Sequence, residues 1–257
     1  MTVEFTPALI LILGALPLPF LGLAWRRTWL LLLPLIGLWQ VLNLDAGMSQ
    51  AFPFMGYQVE LLRVDALALA FGYVFLLAAF LGNLYALHQD DIRQEMAALI
   101  YAGSALGAVF AGDMLSLFVY WELTAISSVF LILAAGTPQA LKASQRYLII
   151  QVGSGVILLA GILVHGSATG SIAFGHIGIE STGGKLIFLA FGIKCAFPFL
   201  HNWLQDAYPE ATPTGTVILS AFTTKLAVYA LARGYAGTEI LITIGAAMTA
   251  FPIFFAV

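Results

Sequence analysis

The sequence predicts an all-α fold, a polytopic transmembrane bundle of about nine helices. Three observations carry this. The 257 residues are 61% hydrophobic and only 9% charged, with mean hydropathy +0.98, against about 25% charged residues in an ordinary soluble domain. The apolar residues gather in runs of about 20, the length a helix needs to cross hydrocarbon. Most charges fall between those runs, and Glu122, Lys194 and Lys225 stand out because they lie near the middle of three of them.

In chain order the runs cover residues 5–24, 28–44, 66–87, 96–112, 114–135, 143–164, 184–207, 214–235 and 239–257. The first lacks the pattern of a signal peptide: it has no basic n-region, carries Glu4, and is followed rather than preceded by Arg26 and Arg27. The Thr28 region after Arg26-Arg27 and the Gly112-Asp113 junction are short enough to demand tight antiparallel hairpins. Between Asp45 and Asp65 the stretch Tyr57-Gln58-Val59-Glu60-Leu61 alternates, which predicts a small extramembrane β-hairpin. The glycine-rich connection 165–183 reads as an irregular loop holding His165 and His176 at its surface; a metal pair there lacks a third ligand nearby in sequence. The last run stops at Phe254-Phe255-Ala256-Val257 with no polar tail, so a split or truncated protein is expected.

Arg26, Arg27, Arg93, Lys142 and Arg146 fall on one side of this topology, while Arg63 and Arg233 fall on the other with Lys185 near that boundary. The richer side is expected in the cytoplasm, which places the N-terminus outside. A formal net charge of −3 offers no basic surface to nucleic acid. The single cysteine, Cys195, excludes an internal disulfide and a cysteine-built zinc or iron–sulfur site, and reads as small apolar packing. There is no phosphate-binding glycine loop, dinucleotide fingerprint, H-E-x-x-H or G-x-S-x-G motif, and no pattern calls for haem, quinone or another cofactor. Gly153-Ser154-Gly155 inside a span reads as close helix packing.

Three charges at membrane depth cost on the order of 8–10 kcal/mol on insertion scales, which points to a proton or cation path. Glu122 lies deep in its span and reads as part of that path or as a structural, hydrogen-bonded carboxylate. Lys194 precedes Pro198 by four residues, so its carbonyl loses the usual helical donor and the helix is expected to break there. Broken helices at this depth mark transport sites, with an ordinary proline kink as the other reading. Lys225 follows Thr223 and Thr224, whose hydroxyls can bond across helices; it reads as a relay or as a packing residue. His201 falls near the Lys194 face and suits proton relay or an interfacial hydrogen bond. Burial disfavours an ammonium, and a carboxylate at about 4 Å restores it by roughly 4 kcal/mol at an effective dielectric near 20, so such a pair is a switchable proton site. Spacing alone leaves open whether Glu122 meets Lys194 or Lys225.

Several of these residues carry a family resemblance. Phe191-Gly192-Ile193-Lys194, followed by Pro198-Phe199-Leu200-His201-Asn202-Trp203-Leu204-Gln205-Asp206-Ala207, resembles the broken-helix motif of the antiporter-like subunits of respiratory complex I and Mrp-type cation/proton antiporters. Trp121-Glu122 with Gly112-Asp113 upstream is similar to the family's glutamate helix. Asp206-Ala207-Tyr208-Pro209-Glu210-Ala211-Thr212-Pro213 and Ser220-Ala221-Phe222-Thr223-Thr224-Lys225 resemble the D-type branch of the Mrp antiporter subunits. The likeness covers about residues 60–257. It implies a fold of inverted five-helix repeats, with residues 1–95 as N-terminal helices, 96–235 as the first repeat, and 236–257 as the start of a second. It implies ion translocation by Glu122, Lys194, Lys225 and His201, with the helix break at Pro198.

The resemblance further implies a non-enzymatic secondary-transporter subunit in a bacterial plasma membrane, without cofactors. Its expected partners are other membrane subunits of a hetero-oligomeric antiporter complex, protons, a monovalent cation such as Na+, and lipid. A proton-pumping subunit of a redox complex would use the same residues. A half-length, non-transporting scaffold and an energising partner for bicarbonate uptake are the other readings.

Overall fold

Proline decides where the first apolar run stops being helical. In the computed structural model, which describes residues 5–54 and 56–256, helix α1 covers only Ala8–Gly14. Pro17 and Pro19 then force a short 3-10 turn at Leu18–Phe20, because each lacks the N–H that an α-helix needs. Helix α2 begins at Leu23 and runs to Leu42. The expected continuous span 5–24 and the junction at Arg26-Arg27 are therefore both corrected: Arg26 and Arg27 lie in the first turns of α2. Glu4 and Val257 lie outside the described residues, and the side chains of residues 251–256 are likewise not described.

The other starts follow their capping residues. Asp65 opens α3 (Ala66–Ala86), Asp91 opens α4 (Ile92–Phe110) and Asp113 opens α5 (Met114–Leu133), each accepting a bond from a first-turn N–H. Thr137 caps α6 (Pro138–Thr169), Ser181 caps α7 (Thr182–Lys194) and Thr212 caps α9 (Pro213–Gly234) in the same way. Pro138 and Pro213 occupy first helical positions, where a missing N–H costs nothing. The caps lengthen two elements beyond the apolar runs. Helix α4 starts at Ile92 rather than 96, and α6 spans 32 residues. His165 is consequently helical rather than in a loop, and α6 ends where Gly170 turns left-handed at φ 72° and its N–H bonds the Gly166 carbonyl at 2.8 Å. Short α8 (Asn202–Ala207) and α10 (Ile240–Ala256) complete ten α-helices among the described residues.

The expected hairpin is present, as β1 (Ser49–Phe54) and β2 (Tyr57–Arg63), paired antiparallel from Ser49↔Arg63 to Phe54↔Tyr57 with a register shift at Gln50/Ala51. It is clamped to the α4–α5 corner: the Gly112 N–H donates to the Glu60 carbonyl at 2.9 Å and the Glu60 N–H to the Asp113 carboxylate at 2.8 Å. Loop 171–175 joins the same corner, the Met114 N–H bonding Ile172 O and the Phe174 N–H bonding Gly112 O, both at 2.8 Å. Asp113 is thus fully buried.

Successive long helices run antiparallel, and α9 lies inside the bundle. It meets α3 through Phe75–Phe222, α4 through Tyr101–Thr223 and Tyr229–Val109, and the β-hairpin end through an Arg233–Asp65 ion pair. Ion pairs mark both ends. Arg26, 4% exposed, pairs with Asp90 and with Glu95 (2.7 Å), and Arg146 pairs bidentately with Asp206 (2.6 and 2.7 Å) at the same end. Arg63 and Arg233 both reach Asp65 at the other. On α6 the strongly exposed residues Ile149, Val156 and Leu163 form one row. The opposite face, Tyr147, Gln151, Ser154, Gly155 and Leu158, is buried.

Candidate functional site

The site is built around the interruption between α7 and α8. Pro198 has no N–H to return to the Lys194 carbonyl. The chain leaves the helix by bonding the Phe197 N–H to Gly192 O at 3.0 Å, one residue further back than in an α-helix, and by packing the Phe197 ring against Gly192. Ala196 and Phe199 then take left-handed backbones at φ 61° and 68°, a strained conformation for residues with a Cβ. The Ile193 carbonyl, left by its usual donor, accepts from the Trp203 indole N–H at 2.9 Å. Trp203 of α8 therefore pins the far side of the break to the near side, and the break predicted at Pro198 is observed.

Lys194 is the last residue of α7 and is fully buried. Its Nζ donates to the Trp121 carbonyl at 2.7 Å and to Thr124 Oγ1 at 2.9 Å, and lies 4.2 Å from the Trp121 ring centroid. Two neutral oxygens and an aromatic face can hold an ammonium but do not neutralise it. Glu122 is the nearby carboxylate: it sits next to Trp121 on α5, and its charge interacts with that of Lys194. Among the described residues the two form no direct ion pair. Instead Glu122 lies against the backbone of Gly155, where any Cβ would collide with the carboxylate, and its buried Oε1 finds no hydrogen-bond partner among the described residues. The partner left open by spacing is thus Lys194, held at one remove.

Lys225 is placed differently. It lies on the exposed side of α9, and its Nζ folds back onto Ser220 O (2.7 Å) and Thr224 Oγ1 (3.3 Å). His201 is half-buried at the start of α8, beyond the break. The structure therefore brings Glu122 and Lys194 together, sets His201 across the interruption, and leaves Lys225 facing outward.

Sequence reasoning missed several polar groups here. Thr124 supplies an oxygen to Lys194, and its signal was present, two residues from Glu122. Buried hydroxyls link α4 to α9, Tyr101 with Thr223 at 2.5 Å, and α5 to α6, Tyr147 with Ser128 at 2.9 Å. Gln151 is 0% exposed on the inner face of α6. Its signal was a lone carboxamide within an apolar run.

Comparison with known proteins fits this arrangement. The profile of the family described as NADH:quinone oxidoreductase/Mrp antiporter, transmembrane, matches residues 111–254, the stretch that holds the site. A Na+/H+ antiporter D-type subunit of Bacillus subtilis is 28% identical over 137 residues, 49% of this chain and 28% of that protein. NADH-quinone oxidoreductase subunit M of Escherichia coli is 31% identical over 149 residues, 51% of this chain and 29% of that protein. A chain in the structure of the Mrp complex from Dietzia sp. has the same fold, with TM-score 0.74 at 23% identity, over 92% of this chain and 49% of that one. The chain thus spans about half the length of that structural relative, and its matches cover less than a third of either sequence relative.

Proposed function

The chain belongs to the NADH:quinone oxidoreductase/Mrp antiporter transmembrane family, and on that premise we propose that it conducts protons as a subunit of a monovalent cation/proton antiporter complex. Its coarser identity is an antiporter-like integral membrane subunit of Mrp or complex I type. The observation that carries the finer reading is Lys194: a fully buried ammonium at a helix break, solvated by Trp121 O and Thr124, beside a carboxylate that does not pair with it directly. Glu122 sets how readily Lys194 keeps its proton. Approach of the carboxylate holds the ammonium, and retreat or neutralisation releases it. His201 and the break supply the approach, and Lys225 on the outer face of α9 passes charge onward. Residues 96–235 act as one repeat and 236–257 belong to the start of another. The membrane potential supplies roughly 2.3 kcal/mol per charge per 100 mV, comparable to the energy of switching such a pair. The setting is a bacterial plasma membrane with the N-terminus outside, and the exchanged ion is a monovalent cation such as Na+.

The test is cation-dependent proton flux in vesicles holding the whole complex, compared with Glu122→Ala and Lys194→Ala. Loss of flux in both supports the roles, and full flux in both removes them. The 31% identity to NADH-quinone oxidoreductase subunit M favours a second reading, the same relay in a redox-driven pump. Flux that follows electron donors and ignores Na+ selects it.

A further inference from the structure

The carboxamide of Gln151 has no place in the relay just described, yet it is the most anomalous polar group in the bundle. It is 0% exposed, and neither its oxygen nor its nitrogen has a hydrogen-bond partner among the described residues. Buried side-chain amides are almost always paired, so both atoms standing unpaired in one residue points to a small polar ligand.

Neighbouring contacts show what Gln151 faces. One turn before it on α6, Arg146 pairs with Asp206 and the Tyr147 ring meets Trp203 at 5.6 Å, both beyond the break. One turn after it, Ser154 Oγ donates to the Ala190 carbonyl at 2.9 Å, before the break. On α5, Tyr147 meets Ser128 and Gly155 meets Glu122, which places Gln151 level with Thr124, the residue that holds Lys194 Nζ. Three helices thus bring Thr124, Lys194 and Gln151 to one level, and along α6 Gln151 lies between the contacts to the two sides of the break.

We propose that Gln151 forms a water-binding site at the helix break, holding solvent between Lys194 and the start of α8. A carboxamide suits this role, because it can donate to one water and accept from another while carrying no charge that would compete with Glu122 for Lys194. The break supplies the complementary groups: backbone polarity freed by Pro198, and His201 at the first turn beyond. The conductive role of this water rests on the relay reading above; its presence does not.

Two measurements in the intact complex separate these. In a Cys195→Ala background, Gln151→Cys should react with a small methanethiosulfonate reagent about ten times faster than Leu158→Cys two turns away, because a thiol reacts as its hydrated thiolate. Equal rates overturn the water site. Vesicle flux then tests conduction: Gln151→Leu should lower it about tenfold, and Gln151→Asn, which keeps an uncharged donor and acceptor, should restore at least half. Full flux in Gln151→Leu alongside lost flux in Glu122→Gln overturns the proposed conductive role and leaves the relay. Full flux in Gln151→Leu, Glu122→Gln and Lys194→Ala together overturns the relay, and the labelling rates still decide whether water is held at Gln151.

Discussion

Replacing Asp113 by alanine should cost far more than an ordinary helix cap. The carboxylate accepts four hydrogen bonds: from the N–H groups of Leu115 (2.8 Å), Ser116 (2.9 Å) and Glu60 (2.8 Å), and from the Ser116 hydroxyl (2.6 Å). The cap on α5 is worth about 1 kcal/mol. Two further donors, the Glu60 N–H and the Ser116 hydroxyl, lose their acceptor, at about 1–3 kcal/mol each. The sum is about 3–7 kcal/mol, reaching the exceptional end of single substitutions. Asp113→Asn keeps one oxygen for the α5 N–H groups but turns an amide donor toward Glu60, so its cost should fall to about 1–3 kcal/mol. Unfolding of the purified protein in mixed micelles by graded denaturing detergent, followed by tryptophan fluorescence, gives both differences. If both variants unfold within about 1 kcal/mol of the parent protein, roughly the value of a lone cap, the corner is not held by Asp113 and the reasoning fails.

Gly155→Ala should lower proton flux with little loss of stability, because the new methyl meets only the mobile end of Glu122 and must displace it; unchanged flux would show that the carboxylate's position is not used. Trp203→Phe removes the indole bond to Ile193 O at the break and should destabilise by about 1 kcal/mol in the same unfolding assay. At the hairpin end, burial pushes the Asp65 carboxyl up but is outweighed by hydrogen bonds and charge from Arg233, so its folded pKa lies below the ordinary aspartate value. The sign follows: the unfolded chain takes up the proton first, so this contribution is present above the ordinary aspartate pKa and lost as pH falls through the lower folded value. Acid titration of stability should therefore be shallower in Asp65→Asn, and an identical slope would refute the assignment.

Much of the fold was legible because membrane spans announce themselves locally. Apolar length, Asp, Ser or Thr caps and proline stops are properties of one segment, so the break at Pro198 and the depth of Lys194 were readable without a partner in view. Where local signals competed, capping and proline chemistry overruled hydropathy. Pro17 and Pro19 cut the first run short, Asp91 started α4 early, and Gly170 let α6 continue past His165. The site was legible in its members but not in its wiring. Thr124 and Gln151 look like ordinary polar residues in apolar runs until three helices place them beside Lys194.

The sequence by itself determined the class of the protein, the approximate positions of most of its helices, and three charges whose place in apolar runs demanded a use. Only the tertiary structure decided which charges meet. The face a residue presents follows from helical periodicity, but the register between helices is set by packing contacts far apart in sequence. The small Gly155 admits the Glu122 carboxylate, Ser154 pins α6 to α7, and Tyr147 on Trp203 fixes α6 against α8. Those contacts turned Lys194 toward Glu122 and left Lys225 on the outer face of α9.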